Sequence, residues 1–254
     1  MANLFAGRVA LITGASSGIG RATALRFVSE GASVALVGRD REALEETAAT
    51  AGGNTAVVVA DLSEPDQVRG AVDDAVDFGG GLDVLVNAAG VIGSGDLAST
   101  TLDDWNAMMR INLDAAFVAM QAALPHLEKT RGNIVNVSSV TGVRAFPGVL
   151  AYCVSKAGMD QLTRCAALEL AAAGVRVNAV NPGVVVSNLH RRGGMHEDAY
   201  AAFLEHSRTT HPIGRVGEPQ DIADAITYLA SEQAGWVTGV TLSLDGGRHL
   251  TCAR

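Results

Sequence analysis

Aromatic residues are few in this 254-residue chain, with 2 Trp, 3 Tyr and 6 Phe, so its 48% hydrophobic content rests on Ala, Val and Leu. Only 6 prolines accompany 29 glycines. With no repeat behind it, that glycine count reads as many tight turns and excludes a low-complexity chain. The 3 cysteines, Cys153, Cys165 and Cys252, are scattered, which excludes a disulfide framework and a metal-ligand spacing. His126, His190, His196, His206, His211 and His249 show no zinc-type pattern either, so no metal is expected. No Lys/Arg-rich run exists, and a formal charge of −8 argues against nucleic acid as a main partner. No apolar run reaches the ~20 residues that span a membrane. Met1 to Arg8 lacks the basic and apolar regions of a signal peptide. A soluble, cytoplasmic protein is expected.

What is present is an alternation. Short apolar, β-branched runs predict strands at Val9–Thr13, Ser33–Val37, Thr55–Ala60, Asp83–Asn87, Asn133–Val137, Arg176–Val180 and near Val240–Leu244. Val57-Val58-Val59 and Val84-Leu85-Val86 are apolar without alternation, as parallel strands covered on both faces require. Between them, helical patterns occupy Ile19–Glu30, Arg41–Ala51, Glu64–Asp77, Leu102–Glu128, Tyr152–Ala172 and Gln220–Ser231. Ser63 with Asp66 and Thr101 with Asp104 read as capping boxes. Gly31 and Gly174 read as residues just past helix ends. Repeated βα units predict one α/β domain over 1–254: a doubly wound Rossmann sheet of seven parallel strands with helices on both faces. The stretch from Val184 to about Gly217 breaks the rhythm and is expected to be a substrate lid. It is polar and irregular, with Tyr200, Phe203 and Leu204 on one side of a short amphipathic stretch.

Two stretches carry chemistry. Tyr152 and Lys156 are four residues apart, so they share one face of a helix. An ammonium ~4 Å from a phenol is worth ~4 kcal/mol at an effective dielectric of ~20, enough to bring it toward neutral pH. Such a phenol is a general acid or base. Earlier, the first strand runs into Thr13-Gly14-Ala15-Ser16-Ser17-Gly18-Ile19-Gly20 before a helix. Gly14 permits the exit from the strand, Gly18 lets a pyrophosphate approach the backbone, and Gly20 allows tight helix–strand packing. The helix N-terminus then offers unpaired N–H groups to phosphates, with Ser16 and Ser17 as further donors.

Thr-Gly-x-x-x-Gly-x-Gly followed by Tyr-x-x-x-Lys resembles the short-chain dehydrogenase/reductase family over essentially the whole chain. Further motifs appear in order: Asp61-Leu62, Asn87-Ala88-Ala89-Gly90, Asn112, Ser138-Ser139 and Asn181-Pro182-Gly183. The resemblance implies an NAD(P)-dependent oxidoreductase acting on a carbonyl/alcohol pair, similar to the 3-oxoacyl carrier-protein reductase-like branch. It implies Tyr152 as the proton donor and Lys156 as the group that lowers its pKa and holds the nicotinamide ribose. Ser139, thirteen residues before Tyr152, would hydrogen-bond the substrate oxygen, and Asn112 would position a water chain from Lys156. Asp61 would accept from the adenine amino group, with Leu62 packed nearby. Asn87 is assigned to the central sheet, with Ala88 and Gly90 along the cofactor; the family usually has a second Asn where Ala88 stands. The glycine turn from Gly14 to Gly20, Ile19 included, would hold the phosphates. Pro182, Gly183 and Val185 would lie against the carboxamide, and Ser187 stands where the family often has threonine.

The second strand ends in Gly38 without the acidic residue of an NAD-preferring relative, and Arg39 follows. NADP is therefore expected, with NAD as the alternative, and Asp40 is expected to cap the next helix. Small residues on the helices containing Ala115, Ala119, Ala157 and Ala166, and the segment Trp236 to Leu244, resemble the family's two interfaces and imply a homotetramer. Arg144, Arg191 and Arg192 are the cations that could meet an anionic substrate. A cofactor-binding regulatory protein of the same fold is the alternative function.

Overall fold

The computed structural model describes residues 3–251. Seven strands form one sheet, and each neighbouring pair is parallel. They are β1 (Val9–Thr13), β2 (Ser33–Gly38), β3 (Thr55–Val59), β4 (Val84–Asn87), β5 (Asn133–Val137), β6 (Arg176–Pro182) and β7 (Thr241–Leu244). Their spatial order, β3-β2-β1-β4-β5-β6-β7, reverses between β1 and β4. At such a switch the flanking connections leave to opposite faces and open a crevice at the carboxyl ends.

Helices cover both faces because successive strand residues point to opposite sides. Ala10, Ile12, Val34 and Leu36 share a core with Phe27, Leu44, Ile222 and Ile226. These come from α1 (Gly18–Ser29), α2 (Arg41–Ala51) and, late in the chain, Pro219–Ala230. Val9, Leu11, Ala35 and Val37 pack against Val68, Val72, Val118 and Leu127 on the other side. Those side chains belong to α3 (Pro65–Gly79) and to Ala115–Thr130. Phe5 stacks on Phe27 with ring centroids 4.4 Å apart. Asp83 accepts from the Arg8 guanidinium and the Val9 N–H, both at 2.8 Å, and so pins the start of β1 to that of β4.

Two local expectations are corrected. Ser63 does not cap α3; its N–H and hydroxyl both donate to Asp61 Oδ1 at 2.9 Å, and Glu64 takes the cap position without a side-chain bond. The long helix is not continuous. It divides into α4 (Leu102–Met109) and α5 (Ala115–Thr130), with a π-helical turn over Arg110–Asp114 between them. At its start Thr101 Oγ1 does accept from Asp104 N–H, 3.1 Å away.

The remaining helices are α6 (Val140–Val143), α7 (Leu150–Leu170), α8 (Leu189–Arg192), α9 (Glu197–Thr210) and α10 (Pro219–Ala230). Segment 184–217, expected to be irregular, thus carries two helices. Among the described residues no helix is long and apolar enough to cross a membrane.

Candidate active site

Thr13 ends β1 facing the neighbouring strand, and its Oγ1 accepts from the N–H groups of Ala88 and Ala89 at 3.0 and 3.1 Å. The Gly14–Gly20 turn and the segment after β4 are therefore held side by side. Neither the first nor the last glycine of the turn could carry a side chain: a Cβ on Gly14 would lie 2.9 Å from Ala89 Cα, and one on Gly20 would lie 2.3 Å from the Gly14 carbonyl oxygen. Ser17 stands at the start of α1 in extended backbone but makes no side-chain cap bond, and the first turn holds no acidic residue. The first N–H groups of α1 and its positive dipole end are left facing the crevice without a protein anion, the arrangement that suits a pyrophosphate.

The π turn explains Asn112. One extra residue in that turn aims its amide off the helix and into the site. There Oδ1 accepts from Val91 N–H at 2.8 Å, and Nδ2 donates to the Val91 carbonyl at 2.9 Å and to Ser155 Oγ at 3.1 Å. Asn112 is fully buried and clamps both main-chain groups of Val91, just beyond Gly90. Asn87 donates to Asn136 Oδ1 across β4 and β5 at 2.9 Å, a bond within the sheet.

Ser139 follows β5 and caps α6, its Oγ accepting from Thr141 N–H at 3.1 Å. Ser138 turns the other way and donates to the Lys156 carbonyl at 3.1 Å. Tyr152 and Lys156 lie in α7 and are both buried, with 6% and 3% exposure. Lys156 Nζ donates to the Val137 carbonyl at 2.8 Å and sits 5.8 Å from the Tyr152 ring centroid. The expected lowering of the phenol's pKa does not occur. Burial pushes Tyr152 up to about 12, and the Ser139 hydroxyl only partly opposes it. Burial also pushes Lys156 down to about 8, with Asp160 opposing. Water is a better solvent for both ions than this cleft, and the Val137 carbonyl holds the ammonium, so desolvation wins over attraction.

The family model described as Enoyl-(Acyl carrier protein) reductase matches residues 14–249. A solved short-chain dehydrogenase/reductase of Caenorhabditis elegans, determined with cofactor, superposes with a TM-score of 0.93 at 36% identity, covering 98% of each chain. The chain belongs to the short-chain dehydrogenase/reductase family. It is an oxidoreductase of alcohol and carbonyl groups, in a family that binds a nicotinamide cofactor. Among curated relatives, a 3-oxoacyl-(acyl-carrier-protein) reductase of Thermotoga maritima is 40% identical over 95% of this chain and 97% of its own. A 2,5-dichloro-2,5-cyclohexadiene-1,4-diol dehydrogenase of Sphingobium indicum is 38% identical over 97% and 98%. A glucose 1-dehydrogenase of Gluconobacter oxydans is 39% identical over 97% and 93%.

In this dehydrogenase/reductase a Cβ on Gly38, at the end of β2, would sit 3.7 Å from Ser16 Oγ. Arg39 is exposed, and Asp40 Oδ1 accepts from Ala43 N–H at 3.1 Å, capping α2. Asp61 is held below the usual carboxylate range by the Ser63 N–H and hydroxyl, with Arg39's charge adding. Leu62 is buried beside it. Later in the chain, Pro182 closes β6, and Val184 N–H donates to His211 Nε2 at 3.1 Å. Val185 bridges to Gly217. The Tyr200 hydroxyl donates to the Ser187 carbonyl at 3.0 Å and accepts the Ser187 N–H at 3.1 Å. Arg191 is taken by Glu197 and stacks on Tyr200 at 4.0 Å, Arg192 is exposed, and Arg144 donates to the carbonyls of Arg248 and Thr251.

Three residues of the site escaped the sequence reading. Asp160, one turn beyond Lys156, is 1% exposed; its Oδ2 accepts from Asn181 Nδ2 at 2.8 Å, while Oδ1 has no partner. Burial pushes its carboxyl up against the Ser138 and Asn181 bonds and the Arg164 and Lys156 charges. The spacing Tyr-x-x-x-Lys-x-x-x-Asp would have revealed it as a third member of one helix face. His211 and Arg248 carry no comparable local signal.

Proposed function

We propose that the chain transfers a hydride between NADPH and a carbonyl/alcohol substrate, with Tyr152 as the proton donor or acceptor. The reading rests on one observation. Ser139, Tyr152, Lys156 and the Asn112-clamped Val91 turn converge at the carboxyl ends of β4, β5 and β6, beside a glycine turn with open helix N–H groups. The glycine turn with Ser16, Ser17, Gly18 and Ile19 would hold the pyrophosphate, Asp61 and Leu62 the adenine, and Ala88 and Gly90 the central stretch. Lys156 would hold the nicotinamide ribose, and Pro182, Gly183, Val185 and Ser187 the carboxamide. A bound nicotinamide supplies or takes the hydride. Tyr152, beside the Ser139 hydroxyl, would give its proton to the carbonyl oxygen as the hydride arrives, and Ser139 orients that oxygen. Lys156, poised near pH 8, resupplies the proton. Segment 184–217 serves as the substrate lid, closed on itself by the Tyr200–Ser187 and His211–Val184 bonds.

NADPH is favoured at Gly38, which brings no carboxylate, and at Arg39, whose guanidinium is free to grip a 2′-phosphate beside Ser16. A charge-assisted contact worth ~1.5–3 kcal/mol gives a preference of roughly tenfold to a hundredfold. The test is NADPH and NADH consumption with a panel of ketones, 3-oxoacyl thioesters, sugars and steroids. Arg39→Ala should erase most of the preference. Gly38→Asp should turn it toward NADH, since its Cβ would meet Leu44 only at an ordinary 3.5 Å. Equal use of both cofactors by the unaltered protein would remove Arg39 from phosphate recognition.

A further inference from the structure

The loop from α6 to α7 and the turn after β7 bring two guanidinium groups onto one aromatic ring. Arg144 Cζ lies 5.6 Å from the Phe146 ring centroid and Arg248 Cζ lies 4.9 Å from it. Arg144 Nη1 donates to the carbonyls of Arg248 and Thr251, which fixes Arg248's main chain against the loop. Both arginines are only half-exposed. Among the described residues no ion pair forms at either guanidinium. Asp245, the carboxylate whose charge reaches Arg248, is committed to His249 Nδ1 and to the N–H groups of Gly247 and His249. Two guanidinium groups drawn together out of water against one carboxylate that is bonded elsewhere leave a net positive field among the described residues.

That field lies at the loop that carries the chain from Ser139 to the helix of Tyr152. Phe146 lies on the loop that leaves Ser139, and its carbonyl is 3.8 Å from Sγ of Cys153, the neighbour of Tyr152. From the lid, His190 and His211 both feel Arg248's charge, and burial together with that charge lowers the pKa of each. His190 stacks on Phe203 with centroids 4.6 Å apart, and its buried Nδ1 has no hydrogen-bond partner. His211 is spoken for, since Val184 N–H donates to Nε2 and Nδ1 faces the Ser207 carbonyl. Among the described residues, a guanidinium without an ion pair and an imidazole nitrogen without a hydrogen-bond partner therefore meet beside the loop that joins Ser139 to the helix of Tyr152.

We propose that Arg248, positioned by Arg144, binds an anionic oxygen group of the substrate, so that the preferred substrates are small oxo acids or their hydroxy-acid products. The inference rests on the oxidoreductase reading above for its chemistry and names the substrate class of that site. In the reductive direction the substrate's carbonyl carbon takes the hydride from NADPH and its oxygen takes a proton, while the carboxylate remains on Arg248. A guanidinium fork matches a carboxylate through two parallel N–H bonds, a geometry that lysine does not reproduce.

The test compares 3-oxobutanoate with its methyl ester, which has the same ketone and no charge. The ratio of their kcat/KM values is measured in the full-length protein and in Arg248→Gln and Arg248→Lys. In the unaltered protein the ratio should favour the acid by at least tenfold. It should fall by tenfold or more in Arg248→Gln and recover in part in Arg248→Lys. A ratio makes general damage to the variant cancel. A parallel calorimetric titration with succinate, which has no ketone to reduce, should show binding weakened at least tenfold in Arg248→Gln. An unaltered protein that prefers the ester, a ratio unmoved by Arg248→Gln, or succinate binding absent or equal in both proteins would overturn the proposal. If no carbonyl compound is reduced, the oxidoreductase reading fails, and the succinate titration still decides the anion site.

Discussion

The single residue on which most depends is Tyr152, whose phenol sits in a cleft that keeps it protonated up to about pH 12. Tyr152→Phe retains the ring packing and removes the proton. Turnover should fall by about 10²–10⁴-fold with the fold intact. A folded variant within a few-fold of the original rate would remove the phenol from the chemistry. Lys156 makes a contrasting prediction. Its pKa of about 8 in the folded chain lies below the ordinary lysine value of 10.5, so between those limits the unfolded chain binds more protons, and stability rises with pH across that window. Below it, the buried ammonium costs the fold a few kcal/mol, on the order of 1.4 per pKa unit. Lys156→Met should therefore lose cofactor affinity and turnover while its melting temperature at pH 7 equals or exceeds that of the unaltered protein. The difference should shrink as pH approaches 10, as thermal melts at stepped pH will show; a drop in melting temperature at pH 7 would refute it. Tyr152 acts in the opposite sense: its raised value gives stability that is complete below the ordinary tyrosine value of 10 and lost as pH rises through about 12.

Among elements, the start of the lid and its helix α9 are clasped by one hydroxyl, that of Tyr200 on the main chain of Ser187. Tyr200→Phe leaves a buried ring but frees both the N–H and the carbonyl of Ser187. With ~1–3 kcal/mol at stake for buried groups left unpaired, amide exchange over residues 184–192 should quicken and cofactor affinity should fall several-fold. Unchanged exchange there would show that the clasp is idle. The same scale shows how far the sequence could be read. Strand positions were legible because both faces of each are covered, so their apolar runs stand out against the helical patterns. The glycine turn was legible because its function lies in the backbone that local sequence dictates. The π turn at Arg110–Asp114 was not, since it leaves the apolar periodicity almost unbroken and shows only in where Asn112 points. The direction of the Tyr152 shift was misread because spacing gives the distance between two groups along a helix, and not the depth at which both are buried. Arg248 and His211 entered the site from strands and helices far along the chain, a neighbourhood set by topology.

For the whole molecule, the open question of assembly has a visible handle. Val154 and Leu168 on α7 and Phe117 on α5 are exposed at 43%, 82% and 48%, and Trp236 is fully exposed. Apolar side chains of this size on two neighbouring helices and at the edge before β7 suit two-fold contacts between copies. A tetramer built from dimers is expected by light scattering at micromolar concentration, and Trp236 emission should shift to the blue relative to a dilute monomer. A monomer throughout would overturn it. The order of the strands also sets a timetable for the newborn chain. β1 can pair with β2 at once, but its other neighbour, β4, emerges only after two intervening βα units. At about 5–20 residues per second of translation, one apolar edge of β1 waits on the order of seconds beside the ribosome, and β6 waits likewise for β7. A slowed ribosome between β2 and β4 would prolong that exposure, so clusters of rare codons there should lower the yield of soluble enzyme without altering a single amino acid.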